Sequence, residues 1–159
     1  SGNIGATNVL RTGRKGLAAA TLLLDAFKGA AAVWIGEAIV PGGAVLGAAG
    51  AFFGHCYPIW LGFRGGKGVA TFGGIAFGVW WALGLIYLAV WIGVLALTRY
   101  SSVGGLAAAV AAPVSAFLLG RTDIGILFVA LALLVIWKHR ANIGRLMSGE
   151  EPRIGRGSG

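Results

Sequence analysis

The sequence predicts an all-α integral membrane protein, a polytopic helical bundle, from three observations. Hydrophobic residues make up 57% of its 159 residues and charged residues only 11%, against about 25% in soluble domains. The mean hydropathy is +0.84. Long apolar runs follow one another with only short polar or glycine- and proline-rich breaks between them. Because these runs leave little room for a separate soluble unit, we expect residues 1–159 to form a single membrane-embedded domain.

The apolar runs have the lengths that spanning helices need, since a hydrocarbon core of about 30 Å requires roughly 20 helical residues. The third run, Val69–Leu97, is too long for one comfortable span. If it were one helix, the basic loop residues would be shared equally between the two sides of the membrane. If it breaks near Trp80–Gly84, all of them except Arg121 lie on one side, as cytoplasmic loops require. We therefore predict six spans, at 17–40, 44–63, 69–81, 83–98, 103–119 and 124–138.

The net charge of +8 is concentrated in the loops. Basic residues at the ends of apolar runs argue against a nucleic-acid partner, which would need a basic soluble face. The charge is explained by the topology of the loops, by binding of phosphorylated substrates, or by both. In the predicted topology three polar segments, 1–16, 64–68 and 138–156, share the cytoplasmic face.

The first polar segment begins with a motif of small, hydrogen-bonding residues, and this motif ends at Arg11. Glycine lets backbone N–H groups approach an anion, hydroxyl and amide groups add donors, and a guanidinium presents a planar fork to phosphate. Taken alone, the segment is equally well an ordinary loop with helix caps. Its other candidates for binding phosphate are Asn3, Gly5, Thr7 and Asn8.

The second polar segment is a glycine turn around Lys67 that precedes an apolar run. Free N–H groups at the start of a helix, together with a lysine, make an anion-binding site. The turn is not a Walker A loop, because residue 68 is glycine rather than serine or threonine and the spacing from Gly62 is one residue short. An ATPase is therefore a poor interpretation. The phosphate-binding candidates beside Lys67 are Arg64, Gly65, Gly66 and Gly68.

The third polar segment places His139 and Asn142 three residues apart, on one face of a helix if the segment is helical. Basic anchors at the end of a membrane helix explain Lys138 and Arg140, but they do not require the histidine or the asparagine. We therefore treat His139 and Asn142 as candidates for chemistry.

Two charged residues, Asp25 and Lys28, fall inside the first apolar run. Charges within a membrane are costly and are usually functional or paired. We interpret these two as a structural ion pair that orients the first polar segment, with a direct functional role as the alternative. His55 is assigned to the same orienting group.

The sequence contains no pattern that indicates a metal or a cofactor. Neither histidine belongs to a His-Glu-x-x-His motif, and Cys56 is the single cysteine, so we expect no metal site and a buried, inert thiol. Neither histidine has an aspartate five positions later. The His-x4-Asp motif of the common soluble and bitopic glycerolipid acyltransferases is thus absent.

The three polar segments resemble the three signature regions of the bacterial acyl-phosphate:glycerol-3-phosphate acyltransferase (PlsY) family. The similarity lies in Ser-Gly-Asn-Ile-Gly-Ala-Thr-Asn-Val-Leu-Arg at 1–11, in Gly-His-x-Tyr-Pro and Phe-Arg-Gly-Gly-Lys-Gly-Val-Ala-Thr within 54–71, and in Lys-His-Arg-Ala-Asn-Ile-x-Arg-Leu at 138–146. The resemblance also includes residues 25–29 and 98–100. Family members have seven helices, so this chain would lack the first, and we expect upstream sequence.

The resemblance implies transfer of a fatty acyl group from acyl phosphate to the 1-hydroxyl of glycerol 3-phosphate, without a cofactor or a covalent acyl-enzyme. The products are lysophosphatidate and inorganic phosphate, in the first step of bacterial phospholipid synthesis. It further implies a bacterial cytoplasmic (inner) membrane protein whose active site faces the cytoplasm. The expected partners are the two substrates and membrane lipid, and we expect a monomer. Catalytic roles are implied for Ser1, Arg11, Lys67, His139 and Asn142, and a loop-ordering role for Glu150.

A small transporter or channel for an anionic phosphorylated solute is the alternative. It predicts polar residues near the middle of the membrane and matched broken helices in two repeated halves. Mid-span polar residues are sparse in this sequence, and the echo of Asn-Ile-Gly between 3–5 and 142–144 is too short to be a repeat. The sequence therefore favours the enzyme.

Overall fold

The computed structural model describes residues 4–155, which form eight α-helices and one short 3-10 helix, so the all-α prediction is confirmed over this range. The chain divides into two compact units, which meet in sequence between Gly84 and Leu85. In chain order the elements are α1 (Ala6–Arg11), α2 (Lys15–Ile39), α3 (Gly43–Cys56), the 3-10 helix Ile59–Leu61, α4 (Val69–Val79), α5 (Trp81–Thr98), α6 (Ser101–Leu118), α7 (Thr122–Lys138) and α8 (Arg140–Met147).

Each of the six predicted apolar segments forms a helix, but their lengths differ. Four elements of residues 4–155 are long and apolar enough to cross a membrane: α2, α3 with the 3-10 helix, α5 and α6. A fifth is added if α7 and α8, bent by 57°, count as one span. The 11 residues of α4 extend only about 16 Å. A count of six spans therefore stays a prediction.

The break in the third apolar run lies where the charge distribution predicts it. Helix α4 ends at Val79, Trp80 is extended with φ −161° and ψ 121°, and α5 begins at Trp81. Gly84 packs on the ring of Phe77, which a Cβ at that position would approach to 2.2 Å. The corner between the two helices therefore depends on a residue without a side chain.

Close helix packing in the first unit depends on glycine. Helix α2 packs against both α3 and α4. A Cβ on Gly74 would lie 1.8 Å from the carbonyl oxygen of Ala26, and one on Gly47 would lie 2.0 Å from that of Ala32. By contrast, a Cβ on Gly50 meets nothing within 4 Å. Small residues thus bring these helix backbones together, as is common between helices in membranes.

We expect Gly74→Ala to destabilise the protein, because the new methyl group must push α4 away from α2. The cost expected for forcing a group into a packed interface is about 1–3 kcal/mol. Thermal unfolding in detergent measures it, with Gly50→Ala on α3 as the matched control. Equal melting temperatures for the two variants would contradict this account of the packing.

In the second unit, the segment that follows α8 returns to the corner between α5 and α6. The backbone N–H of Ile154 donates to the carbonyl of Arg99 over 2.8 Å, and Arg99 Nε donates to the carbonyl of Ile154 over 3.2 Å. The guanidinium of Arg153 lies 5.1 Å from the ring centroid of Tyr100 and donates to its hydroxyl oxygen. This return places Glu151 beside the start of α6.

Candidate functional site

The first polar segment is described from Ile4 onwards, so the predicted site residues Ser1 and Asn3 lie outside the described residues. Gly5 precedes α1 with φ +143°, a conformation that side chains disfavour. Its carbonyl accepts hydrogen bonds from the N–H groups of Asn8 and Val9. Helix α1 packs against α2 and carries the other candidates of this segment, Thr7, Asn8 and Arg11.

Arg11 is exposed, as are Arg14 and Lys15 in the same segment. Its Nη1 donates to Asn8 Oδ1 across a long 3.4 Å, one helical turn away. A weak bond of this kind fixes the direction of the side chain without neutralising its charge. Arg11 therefore keeps the ability to bind an anion.

The glycine turn is tied to the end of α3. The N–H of Gly65 donates to the carbonyl of Cys56 over 3.2 Å, and the N–H of Gly66 donates to that of His55 over 3.1 Å. A Cβ on Gly65 would lie 2.1 Å from the His55 carbonyl oxygen. These two N–H groups are therefore used within the protein and are not among the free donors expected where the turn meets the helix. Phosphate binding by Gly65 and Gly66 stays a prediction. Glycine is needed at 65 and 66 because the chain runs directly against α3.

The turn leads straight into α4, with the half-buried Lys67 just before its first turn. Gly68 has φ +84°, and a Cβ there would meet the ring of Phe52 at 2.3 Å. Arg64, on the other side of the turn, is exposed. Two cations thus flank the positive end of the α4 dipole, an arrangement that favours an anion.

Asp25 and Lys28 form the predicted ion pair. Lys28 Nζ lies 2.5 Å from Asp25 Oδ1 and 2.7 Å from Nδ1 of His55, whose Nδ1 is also 3.4 Å from Asp25 Oδ1. His55 is the residue that supports Gly66. The pair is therefore connected to the second polar segment, and its link to the first stays a prediction.

His139 lies at the junction of α7 and α8 and is 3% exposed. Its Nδ1 lies 2.8 Å from the carbonyl oxygen of Val135. A carbonyl only accepts, so Nδ1 carries the proton, and in the neutral ring Nε2 has the lone pair. This is the tautomer that a general base needs on Nε2.

Asn142 is held by a buried carboxylate that the sequence analysis missed. Glu151 Oε1 accepts hydrogen bonds from Asn142 Nδ2 over 2.6 Å and from Ser102 Oγ over 2.7 Å. Its Oε2 accepts from Arg145 Nε over 2.7 Å. Glu150, to which the loop-ordering role was assigned, is exposed and accepts a local hydrogen bond from Ser148. The long-range role belongs to Glu151, because only this residue points inward.

The charge state of Glu151 follows from these contacts. Burial alone would raise the pKa of its carboxyl group. The hydrogen bonds from Asn142, Ser102 and Arg145, together with the charge of Arg145, outweigh burial and hold the pKa below its ordinary value of 4.5. Glu151 is therefore a carboxylate at neutral pH, and it fixes the orientation of the Asn142 amide.

The side-chain oxygen of Asn142, Oδ1, is a hydrogen-bond acceptor that could bind a ligand. Among residues 4–155, the buried Oδ1 of Asn142 has no hydrogen-bond partner. Because Nδ2 is committed to Glu151, Oδ1 must point the opposite way. Buried acceptors are normally paired, so this oxygen suits a donor such as a substrate hydroxyl.

The structure brings the candidates together in two groups. In the first unit the glycine turn, His55 and the Asp25–Lys28 pair form one connected group. In the second unit, Asn142 is joined to Glu151, and His139 directly precedes α8, the short helix that contains Asn142. The convergence of all three polar segments on one site stays a prediction.

Sequence comparison places the chain among bacterial enzymes. Residues 1–149 match the sequence model of the family described as glycerol-3-phosphate acyltransferase. The glycerol-3-phosphate acyltransferase of Mesorhizobium japonicum is 55% identical over 155 residues, which cover 98% of this chain and 80% of the relative. The enzyme of the same name from Erythrobacter litoralis is 56% identical, with coverage of 98% and 79%.

Two solved structures are also similar. The crystal structure of PlsY (YgiH), described as an integral membrane glycerol 3-phosphate acyltransferase, is 34% identical in its glycerol 3-phosphate form, with a TM-score of 0.92. That match covers 98% of this chain and 80% of the solved one. The lysophosphatidic acid form gives a TM-score of 0.91 at 34% identity, with coverage of 97% and 81%.

Proposed function

The chain belongs to the glycerol-3-phosphate acyltransferase family, and from this premise we propose that it transfers a fatty acyl group from acyl phosphate to the 1-hydroxyl of sn-glycerol 3-phosphate. It is an integral membrane enzyme of lipid synthesis, and its product is lysophosphatidate. The observation that carries this conclusion is the pair of similar structures in glycerol 3-phosphate and lysophosphatidic acid forms. These two molecules differ by one acyl group. The comparisons support the enzyme and not the transporter alternative.

The reaction needs a positioned hydroxyl and stabilisation of charge. The hydroxyl oxygen attacks the carbonyl carbon of acyl phosphate, the bond from this carbon to the phosphate oxygen breaks, and inorganic phosphate leaves. Acyl phosphate is already activated, so a covalent acyl-enzyme is not required. The protein contributes by holding the two phosphorylated substrates side by side and by stabilising the developing negative charge.

Phosphate binding falls to the cations and the small residues around them. Arg11, Arg64 and Lys67 are exposed or half-buried in the first unit and supply positive charge. Gly5, Thr7 and Asn8 accompany Arg11, and Ser1 and Asn3 are expected to help to orient the substrate. Gly65, Gly66 and Gly68 act by allowing the chain to turn tightly beside Lys67 rather than by donating all of their N–H groups.

His139 and Asn142 position the glycerol or the carbonyl oxygen. The Oδ1 of Asn142, which lacks a partner among residues 4–155, suits a hydroxyl of glycerol 3-phosphate. The proton of the attacking hydroxyl goes to His139 Nε2 or to a substrate phosphate. The tautomer set by Val135 favours the histidine, since its Nε2 has the lone pair.

The remaining assignments concern the setting of the enzyme. We propose six membrane-crossing segments, with α4 and α7 as the short ones, in the cytoplasmic (inner) membrane of a bacterium. The three polar segments then face the cytoplasm, where both phosphorylated substrates reach them. The enzyme acts as a monomer among membrane lipids and requires no metal or cofactor.

We expect the purified enzyme to release inorganic phosphate from acyl phosphate only when glycerol 3-phosphate is present. Phosphate release and formation of lysophosphatidate, measured together, should agree one to one. Acyl-CoA in place of acyl phosphate is the negative control. Acylation from acyl-CoA alone would overturn the assigned donor, and phosphate release without an acylated product would overturn the transfer.

A further inference from the structure

His55 lies between the intramembrane ion pair and the glycine turn. It is 7% exposed, and its Nδ1 edge faces Lys28 Nζ at 2.7 Å and Asp25 Oδ1 at 3.4 Å. The opposite edge of the ring faces the turn, because a Cβ on Gly66 would lie 2.1 Å from His55 Nε2. One imidazole therefore joins a charged pair on α2 to the residue that precedes Lys67.

The contact with Lys28 decides which nitrogen of His55 carries the proton. Two groups face Nδ1: Asp25 Oδ1 at 3.4 Å, which would accept from a protonated Nδ1, and Lys28 Nζ at 2.7 Å, which as a protonated lysine has three donors and no acceptor. The lysine is the closer of the two, so we take Nδ1 to be the acceptor. The proton of the neutral ring is then on Nε2. Lys28 thus directs an N–H group of His55 towards the glycine turn.

An ion pair within an apolar helix is costly, and simple packing against Gly66 would not need one. An apolar side chain at residue 55 would fill the same space without two charges behind it. The cost of the ion pair is explained if the glycine turn requires a fixed orientation and a fixed protonation of the His55 ring. The same contacts that hold Lys28 in place then act on the phosphate-binding loop.

We propose that His55 is a positioning residue for Lys67, and that Lys28 and Asp25 fix it in the Nε2-protonated tautomer. The ring supports the Gly65–Gly66 turn, and its Nε2 edge faces this turn, at which we propose that phosphate is bound. This inference rests on the proposed function, because it takes Lys67 to bind a substrate phosphate.

The test compares His55→Gln with His55→Asn in the full-length chain in detergent or nanodiscs. The amide nitrogen of glutamine occupies roughly the position of Nε2, whereas that of asparagine corresponds to Nδ1. We expect His55→Gln to stay within about fivefold of the wild type. His55→Asn should raise the KM for a phosphorylated substrate by about 10- to 100-fold, the range for losing a hydrogen bond to a charged group, with a smaller effect on kcat. Equal KM values for the two variants, or a loss confined to kcat, would overturn the proposal.

A second measurement does not depend on whether His55→Asn folds. The ¹⁵N spectrum of histidine-labelled wild-type enzyme, assigned with His55→Gln, reports which ring nitrogen is protonated. A proton on Nε2 is expected, and a proton on Nδ1 would overturn the proposal. Lys67→Ala, assayed in parallel, separates the two hypotheses: full activity of that variant removes the proposed phosphate site, whereas an inactive Lys67→Ala with equal glutamine and asparagine variants removes only the role of His55.

Discussion

Lys67→Ala is expected to lower kcat/KM by about 10³-fold, the largest effect on catalysis that we predict. Lys67 stands between the glycine turn and the first turn of α4, with Arg64 as the nearby exposed cation. A charge placed where negative charge develops is worth about 3–4 kcal/mol when it is removed. We expect the loss in kcat/KM because Lys67 is proposed to contact phosphate both in the bound state and during transfer.

The controls for Lys67 separate a local role from the overall charge. Lys67→Arg keeps the charge with a larger head group and should recover part of the activity. Arg121→Gln also removes one positive charge, but from the loop before α7 that the predicted topology places on the opposite side of the membrane. This variant should remain within about twofold of the wild type, as expected for a partly exposed side chain whose ion-pair partner is the local Asp123. Activity of Lys67→Ala within threefold of the wild type would contradict the assignment of the turn.

Glu151→Gln is expected to destabilise the protein by about 1–3 kcal/mol, the cost of leaving a buried hydrogen-bonding group without its partner. The glutamine side chain has the same size, but its amide turns a donor towards Ser102, Asn142 or Arg145, all of which donate to the carboxylate in the wild type. Glu150→Gln is the matched control. This neighbouring residue is exposed, so its replacement should change stability by no more than about 0.5 kcal/mol.

The stabilisation from Glu151 also depends on pH. Its pKa is lowered in the folded protein from an ordinary value of 4.5. A group with a lowered folded pKa contributes its full stability above the unfolded pKa and loses it as the pH falls through the folded pKa. The melting temperature of the wild type should therefore fall more steeply below about pH 4.5 than that of Glu151→Gln. Thermal unfolding between neutral and acid pH measures the difference, and parallel curves would contradict the role of the carboxylate.

Local patterns in the sequence were sufficient to predict the positions of the helices and the class of membrane protein. Apolar length predicts helix positions because a bilayer demands a minimum run. The side preference of basic residues predicted a break near Trp80–Gly84, and the structure has it at Trp80. The pairing of Asp25 with Lys28 followed from their spacing of three residues on one helix. Each of these features depends on residues that are close in sequence or on a property of single loops.

Contacts between distant residues were not predictable in this way. Ser102 and Glu151 are separated by 49 positions, and neither belongs to a pattern that indicates the other. The choice between Glu150 and Glu151 depends on which residue faces inward after the turn at Gly149, which has φ +75°. In the same way, the link from Lys28 to His55 spans 27 positions and exists only because α2 packs against α3.

The sequence by itself determined that this is a helical membrane protein and that it resembles one acyltransferase family. It also showed that the polar segments contain residues typical of phosphate binding. Only the tertiary structure decided how the candidate side chains are held. It committed the N–H groups of Gly65 and Gly66 to carbonyls of α3, placed His55 against Gly66, and gave the buried carboxylate role to Glu151. The physical reason is that composition and spacing fix which groups are present, whereas hydrogen bonds and close packing depend on which backbones meet in space.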